Sequence, residues 1–83
     1  MRVTFSSLSK KNFSKLNPRI QQKIVADLNK FSRGERVDMK KIKNSKNEFR
    51  IRAGNFRIQF EKHENEILIT KIGKRENFYA VFL

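Results

Sequence analysis

Residues 49–61 leave the chain little choice of conformation, because Phe49 to Ala53 and Phe56 to Glu61 place an apolar residue at every second position on either side of Gly54-Asn55. Alternation of this kind predicts two half-buried strands, and Gly-Asn between them predicts a two-residue hairpin loop with a positive φ at Gly54. A loop of that length fixes the register. Ala53 must face Phe56, Arg52 must face Arg57, Ile51 must face Ile58, and Phe49 must face Phe60. Phe49, Ile51, Phe56, Ile58 and Phe60 then share one face, as a core requires. Glu48, Arg50, Arg52, Arg57 and Gln59 share the other.

Two arginines directly across from each other, with a third on the same face, are destabilising by about 0.2–1 kcal/mol per like-charged pair. An anion relieves that repulsion, and forked guanidinium donors suit phosphate best. The other reading is a solvated face whose long side chains splay into water, where exposed charges matter little.

The rest of the chain completes an α+β domain. Val3 and Phe5 alternate with polar neighbours in a short strand over Met1 to Ser6. Ser6, Ser7 or Ser9 can cap a helix carrying Leu8, Phe13 and Leu16 on one side. Asn17-Pro18 starts a second helix, with Asn17 as N-cap and Pro18 in the first helical position. Ile20, Ile24, Leu28 and Phe31, with Val25 beside them, recur at helical spacing, and Ser32-Arg33-Gly34 ends the helix. Glu35 to Asn47 reads as a basic connector ending in a loop. Glu66 to Ile72 is a third β-like run. Its Ile67, Leu68 and Ile69 are consecutive, and an even-length turn before them puts Ile67 and Ile69 with the core. The expected architecture is an N-terminal strand and an αα-hairpin packed on a twisted antiparallel sheet of three to four strands, with residues 1–83 as a single domain. Phe78 to Leu83 reads as a terminal strand or short helix.

Composition narrows the function. Twenty Lys and Arg against eight Asp and Glu give a formal charge of +12, which implies a polyanionic partner, nucleic acid first. No acidic residue precedes Asp27, and Lys40, Lys41, Lys43 and Lys46 read as contacts to phosphate backbone. The absence of cysteine removes disulfides and thiolate metal sites and fits a reducing compartment, the cytoplasm by default. No run is long and apolar enough to span a membrane, and no apolar leader follows Met1. Eight phenylalanines supply a core despite the charge.

Pro18 leading a basic amphipathic helix, the run Lys40-Lys41-Ile42-Lys43, the stretch Phe49 to Ile58, and Ile72-Gly73-Lys74-Arg75 followed by Tyr79 together resemble the RelE/ParE family of bacterial toxin–antitoxin toxins. The resemblance covers nearly the whole chain and rests on the order and spacing of these segments. It implies function on the concave face of the sheet, neutralisation by a cognate antitoxin, and no small-molecule cofactor or metal. In the RelE branch it implies ribosome-dependent cleavage of mRNA by attack of the ribose 2′-OH on the adjacent phosphate.

That chemistry needs a group to take the 2′-OH proton, charge to stabilise pentavalent phosphorus, and a group to protonate the departing 5′ oxygen. By the resemblance, Arg57 and Arg75 contact the scissile phosphate, and Tyr79 stacks on a base or moves a proton. Arg50 and Arg52 stand where some relatives carry lysine. Arginine stays protonated, so it holds phosphate well and shuttles protons poorly. Tyr79, whose phenolate nearby arginines favour, is the first choice of base. Glu48, on the arginine face, is the second, though it also reads as an ion-pair partner. Lys74 reads as a ribosomal RNA contact. His63 falls in a turn, and the position before Tyr79, where some relatives have histidine, holds Phe78. The resemblance also allows inhibition of DNA gyrase, as in the ParE branch, and the composition fits non-catalytic nucleic-acid binding. Retention of the arginine–tyrosine set favours RNA cleavage.

Overall fold

The computed structural model describes residues 2–74. Strand β1 (Arg2–Phe5) leads into helices α1 (Ser7–Ser14) and α2 (Pro18–Ser32), followed by β2 (Met39–Lys41), β3 (Glu48–Ala53), β4 (Phe56–His63) and β5 (Glu66–Lys74). The strands form one sheet in the order β1-β5-β4-β3-β2. The expectations placed on Arg75, Tyr79 and the run Phe78 to Leu83 lie outside the described residues.

The α+β arrangement is the one the sequence predicts, with five strands in place of three or four. The sheet is mixed, because β1 runs parallel to β5 while the other pairs are antiparallel. The additional strand is β2, inside the connector read as a loop. All three of its residues are exposed. An edge strand pairs on one side and buries little, so it carries charge instead of an apolar alternation.

The hairpin register agrees residue for residue: Ala53 faces Phe56, Arg52 faces Arg57, Ile51 faces Ile58, and Phe49 faces Phe60. Gly54 has φ +62°, as its place in the loop demands. The second turn is two residues long, with β4 continuing to His63, β5 starting at Glu66 and Glu64 adopting φ 55°. Its even length puts Ile67 and Ile69 in the core, both fully buried.

Asn17 caps α2, its Oδ1 accepting from the Ile20 N–H at 3.0 Å. The helix lays Ile24, Leu28 and Phe31 against the sheet, where Phe60 is enclosed with ring centroids 5.2 Å from Phe31 and 5.5 Å from Phe49. Removing a ring so enclosed typically costs about 3–5 kcal/mol. Val25 points outward, and Asp27 is the buried neighbour instead, 3.4 Å from Lys23 Nζ.

Helix α1 packs differently from its apolar pattern. Phe13 and Leu16 join the core, but Leu8 is 53% exposed and the residue fully buried in its place is Ser9. The reason lies at the sheet edge. Strand β1 stops at Phe5, so among the described residues no strand pairs with this edge of β5 beyond Ile69. The start of α1 takes that place. The Ser6 N–H donates to the Ile69 carbonyl at 2.9 Å. Ser9 Oγ donates to the same oxygen at 2.8 Å, Ser6 Oγ donates to the Thr70 carbonyl at 3.2 Å, and Asn12 Oδ1 accepts from the Ile72 N–H at 3.0 Å. Positions 6, 9 and 12 recur every third residue, so one side of the helix entry satisfies an edge that would otherwise be buried unpaired.

Opposite that edge, the ladder between β4 and β5 slips. Phe60 pairs with Ile69, yet Gln59 pairs with Lys71, so Thr70 is an extra residue in β5. Such a bulge exchanges the faces of everything after it. It brings Ile72 into the core at 3% exposure and turns Lys71 to the opposite side. No helix among the described residues is long and apolar enough to cross a membrane.

Candidate functional site

The side of the sheet away from the helices is built in rows that the ladders define. One row runs Arg52–Arg57–Gly73 across β3, β4 and β5. The next runs Lys40–Arg50–Gln59–Lys71 from β2 to β5. The third runs Glu48–Glu61–Leu68–Thr4. Five cations therefore occupy two adjacent rows, and the carboxylates of Glu48 and Glu61 lie in the third. Direct neighbours along a row have Cβ atoms about 4.5–5.5 Å apart, and diagonal neighbours about 7–8 Å.

The two facing arginines sit in different environments. Arg52 is exposed and reaches back to Asp38, Nε to Oδ2 at 3.4 Å, a pair in solvent that contributes little stability. Arg57 is 6% exposed, with Nη1 donating to the Phe56 carbonyl at 3.2 Å. It does not splay into water. A guanidinium taken so far out of solvent carries a desolvation cost, and an anion received among these side chains offsets it. Arg50 is half-buried in the centre of its row. These three residues are brought together as the sequence predicts.

Lys71 was not foreseen. The phase of Ile67 and Ile69 assigns position 71 to the helix side, and the bulge at Thr70 reverses it. A signal was present in the sequence: Ile72 breaks phase with Ile67 and Ile69, and an apolar strand that changes phase mid-run implies an extra residue. Lys71 is half-buried, and loss of solvent lowers its pKa from the ordinary 10.5.

The other predicted residues separate. Glu48 lies two positions from Arg50 on the same side of β3, directly opposite Glu61. Of the connector lysines, Lys40 stands in the arginine row, whereas Lys41 pairs with Phe49 and takes the helix-side phase. Lys43 and Lys46 are exposed between β2 and β3. Lys74 pairs with Phe56, exposed at the end of β5 and in the helix-side phase. His63 belongs to β4 and not to the turn, its Nε2 3.1 Å from Glu61 Oε1. Six residues separate it from Arg57, roughly 20 Å along the strand, so it is remote from the arginines.

No family model matches the sequence. Among curated proteins, the toxin RelE3 of Methanocaldococcus jannaschii is 38% identical over 47 residues, which is 57% of this chain and 53% of that protein, so the match spans about half the relative's length. Solved structures align over nearly everything. The RelE of a RelB–RelE antitoxin–toxin complex from Methanococcus jannaschii superposes with a TM-score of 0.82 at 25% identity, covering 95% of this chain and 98% of that one. The isolated Escherichia coli RelE toxin gives 0.76 at 15% identity over 98% and 95% of the two chains. The YoeB dimer from Staphylococcus aureus gives 0.73 at 20% identity over 86% and 92%. A helix pair on this mixed sheet, matched from end to end in solved toxins, gives the chain the RelE fold, and the curated relative is similar to it over 47 residues.

Proposed function

We propose that this protein is the toxin of a toxin–antitoxin pair and that its arginine face cleaves mRNA on the ribosome, without a metal, in the cytoplasm. The observation that carries the reading is Arg57, held out of solvent in the middle strand of a RelE-like sheet with Arg50 and Arg52 beside it. Preorganised donors in a site that excludes water stabilise developing charge far better than donors in water. The 2′-oxygen attacks phosphorus, the bond to the 5′ oxygen breaks, and the guanidinium groups hold the phosphoryl oxygens while negative charge accumulates. Arg75 and Tyr79 complete the set on the strength of the family resemblance, with Tyr79 taking the 2′-OH proton and Glu48 as the alternative base. Lys40, Lys41, Lys43, Lys46 and Lys74 supply contacts to RNA of the message and ribosome.

The partnership has its own support. The solved Methanococcus jannaschii relative is a complex of RelE with the antitoxin RelB, and a cognate antitoxin is proposed here on that likeness. Expression of the full chain under tight control, with primer-extension mapping of mRNA ends, tests the reading. Cuts within translated codons that disappear in Arg57→Ala support it. Growth arrest with intact mRNA and inhibited DNA supercoiling would assign the chain to the gyrase-directed branch instead.

A further inference from the structure

We infer that Lys71 is the proton donor to the departing 5′ oxygen, placed among the arginines by the bulge in β5. The inference rests on the ribonuclease reading and completes it, because arginines bind phosphate and stabilise charge but do not give up a proton readily.

The geometry comes from backbone register. Lys71 is directly across from Gln59, which puts it diagonal to Arg57, with Cβ atoms about 7–8 Å apart. Arg50 lies on the strand beyond, roughly 10 Å from Lys71 by strand spacing. One phosphodiester fits between side chains of this length. The position is also a held one. Ser9 and Ser6 bind the Ile69 and Thr70 carbonyls on one side of Lys71, and Asn12 binds the Ile72 N–H on the other, so α1 fixes the extra residue that turns Lys71 to this face.

Other lysines are placed less well. Lys40 is exposed on the edge strand, across Arg50 from the middle of the face, and Lys74 takes the helix-side phase. Burial also prepares Lys71 for the task, since an ammonium that is poorly solvated releases its proton more easily.

The step balances. The bond between the 2′ oxygen and phosphorus forms as the bond from phosphorus to the 5′ oxygen breaks, giving a 2′,3′-cyclic phosphate and a 5′-hydroxyl. The 2′-OH proton passes to the base. The 5′ oxygen takes a proton from Lys71 Nζ, and exchange with solvent then restores both groups.

The test is single-turnover cleavage of ribosome-bound mRNA by the full chain and by Lys71→Met and Lys71→Arg, with either the native 5′ oxygen or sulfur at the scissile position. A thiolate leaves without being protonated. Both variants are expected to lose about 100-fold or more on the oxygen substrate and to cleave the sulfur substrate close to the wild-type rate, which also shows that they fold. Equal slowing on both substrates overturns the assignment, since Lys71 would then act through binding or folding. So does full activity of Lys71→Arg on oxygen, which would show that its charge suffices. If the wild type cleaves and Lys71→Met matches it, the assignment fails while the ribonuclease reading stands. If the wild type cleaves neither substrate, both fail.

Discussion

Arg57 and Arg52 are direct partners in the β3–β4 ladder, yet one is buried against the backbone and the other is exposed and paired with Asp38. Equivalent in charge and adjacent in space, they are unequal in solvation, and the buried one suits electrostatic catalysis. Arg57→Ala is therefore expected to reduce ribosome-dependent cleavage by about 10²–10³-fold, and Arg52→Ala by much less. Rate constants measured at saturating enzyme, with circular dichroism to verify folding, make the comparison. Equal losses in the two variants would remove the distinction drawn from burial.

Ser9 is fully buried and gives its hydroxyl proton to the Ile69 carbonyl, so Ser9→Ala leaves a buried acceptor with one partner fewer. A loss of about 1–3 kcal/mol in urea denaturation is expected. Leu8→Ala, one residue earlier and exposed, is expected to stay within about 0.5 kcal/mol of wild type. The opposite ranking would mean that α1 packs through its apolar residues after all.

Lys40 and Lys41 are consecutive but fall on opposite sides of β2. Lys40→Gln is expected to weaken binding to single-stranded RNA and to flatten its salt dependence, by about 0.7 in the slope of log K against log salt if one phosphate contact is lost. Lys41→Gln should change that slope little. Fluorescence anisotropy titrations across a salt series distinguish the two.

Lys71 also links stability to pH. Its folded-state pKa lies below the unfolded value of 10.5, so the unfolded chain binds more protons in the interval between the two, and stability rises with pH there. Relative to Lys71→Met, the wild type bears the burial of an ammonium at neutral pH and sheds it as that group deprotonates. The stability advantage of Lys71→Met should shrink as pH is raised from neutrality towards 10.5. Urea midpoints of the two proteins against pH measure it. A constant difference would show that Lys71 is solvated alike in both states.

The sequence carried the hairpin completely, because a two-residue loop and a period of two leave one register in which Phe49, Ile51, Ile58 and Phe60 share a face. The capped start of α2 was legible for an equally local reason, with Asn17 and Pro18 side by side. What escaped was long-range. Strand β2 announces itself by pairing and not by pattern, and the parallel match of β1 to β5 joins residues 64 positions apart, Arg2 with Glu66 for example. The bulge escaped too, and with it Lys71, since its cause lies partly in α1: nothing in Glu66 to Lys74 says that Ser9 and Asn12 wait beside it. The arginine face was thus read in outline from one hairpin, and the places of Lys40 and Lys71 on it came from the pairing of β2 and β5.

The pairing of β1 with β5 has a consequence for synthesis. Residues 2–5 leave the ribosome well before residues 66–69, the strand segment they join. The Ser6, Ser9 and Asn12 contacts to β5 wait equally long. This edge of the sheet therefore closes late, after most of the described chain has been made, since contacts between distant segments form more slowly than those of a hairpin. During translation the arginine strands can form their hairpin, but the face acquires its β5 side only once residues 66–74 have emerged.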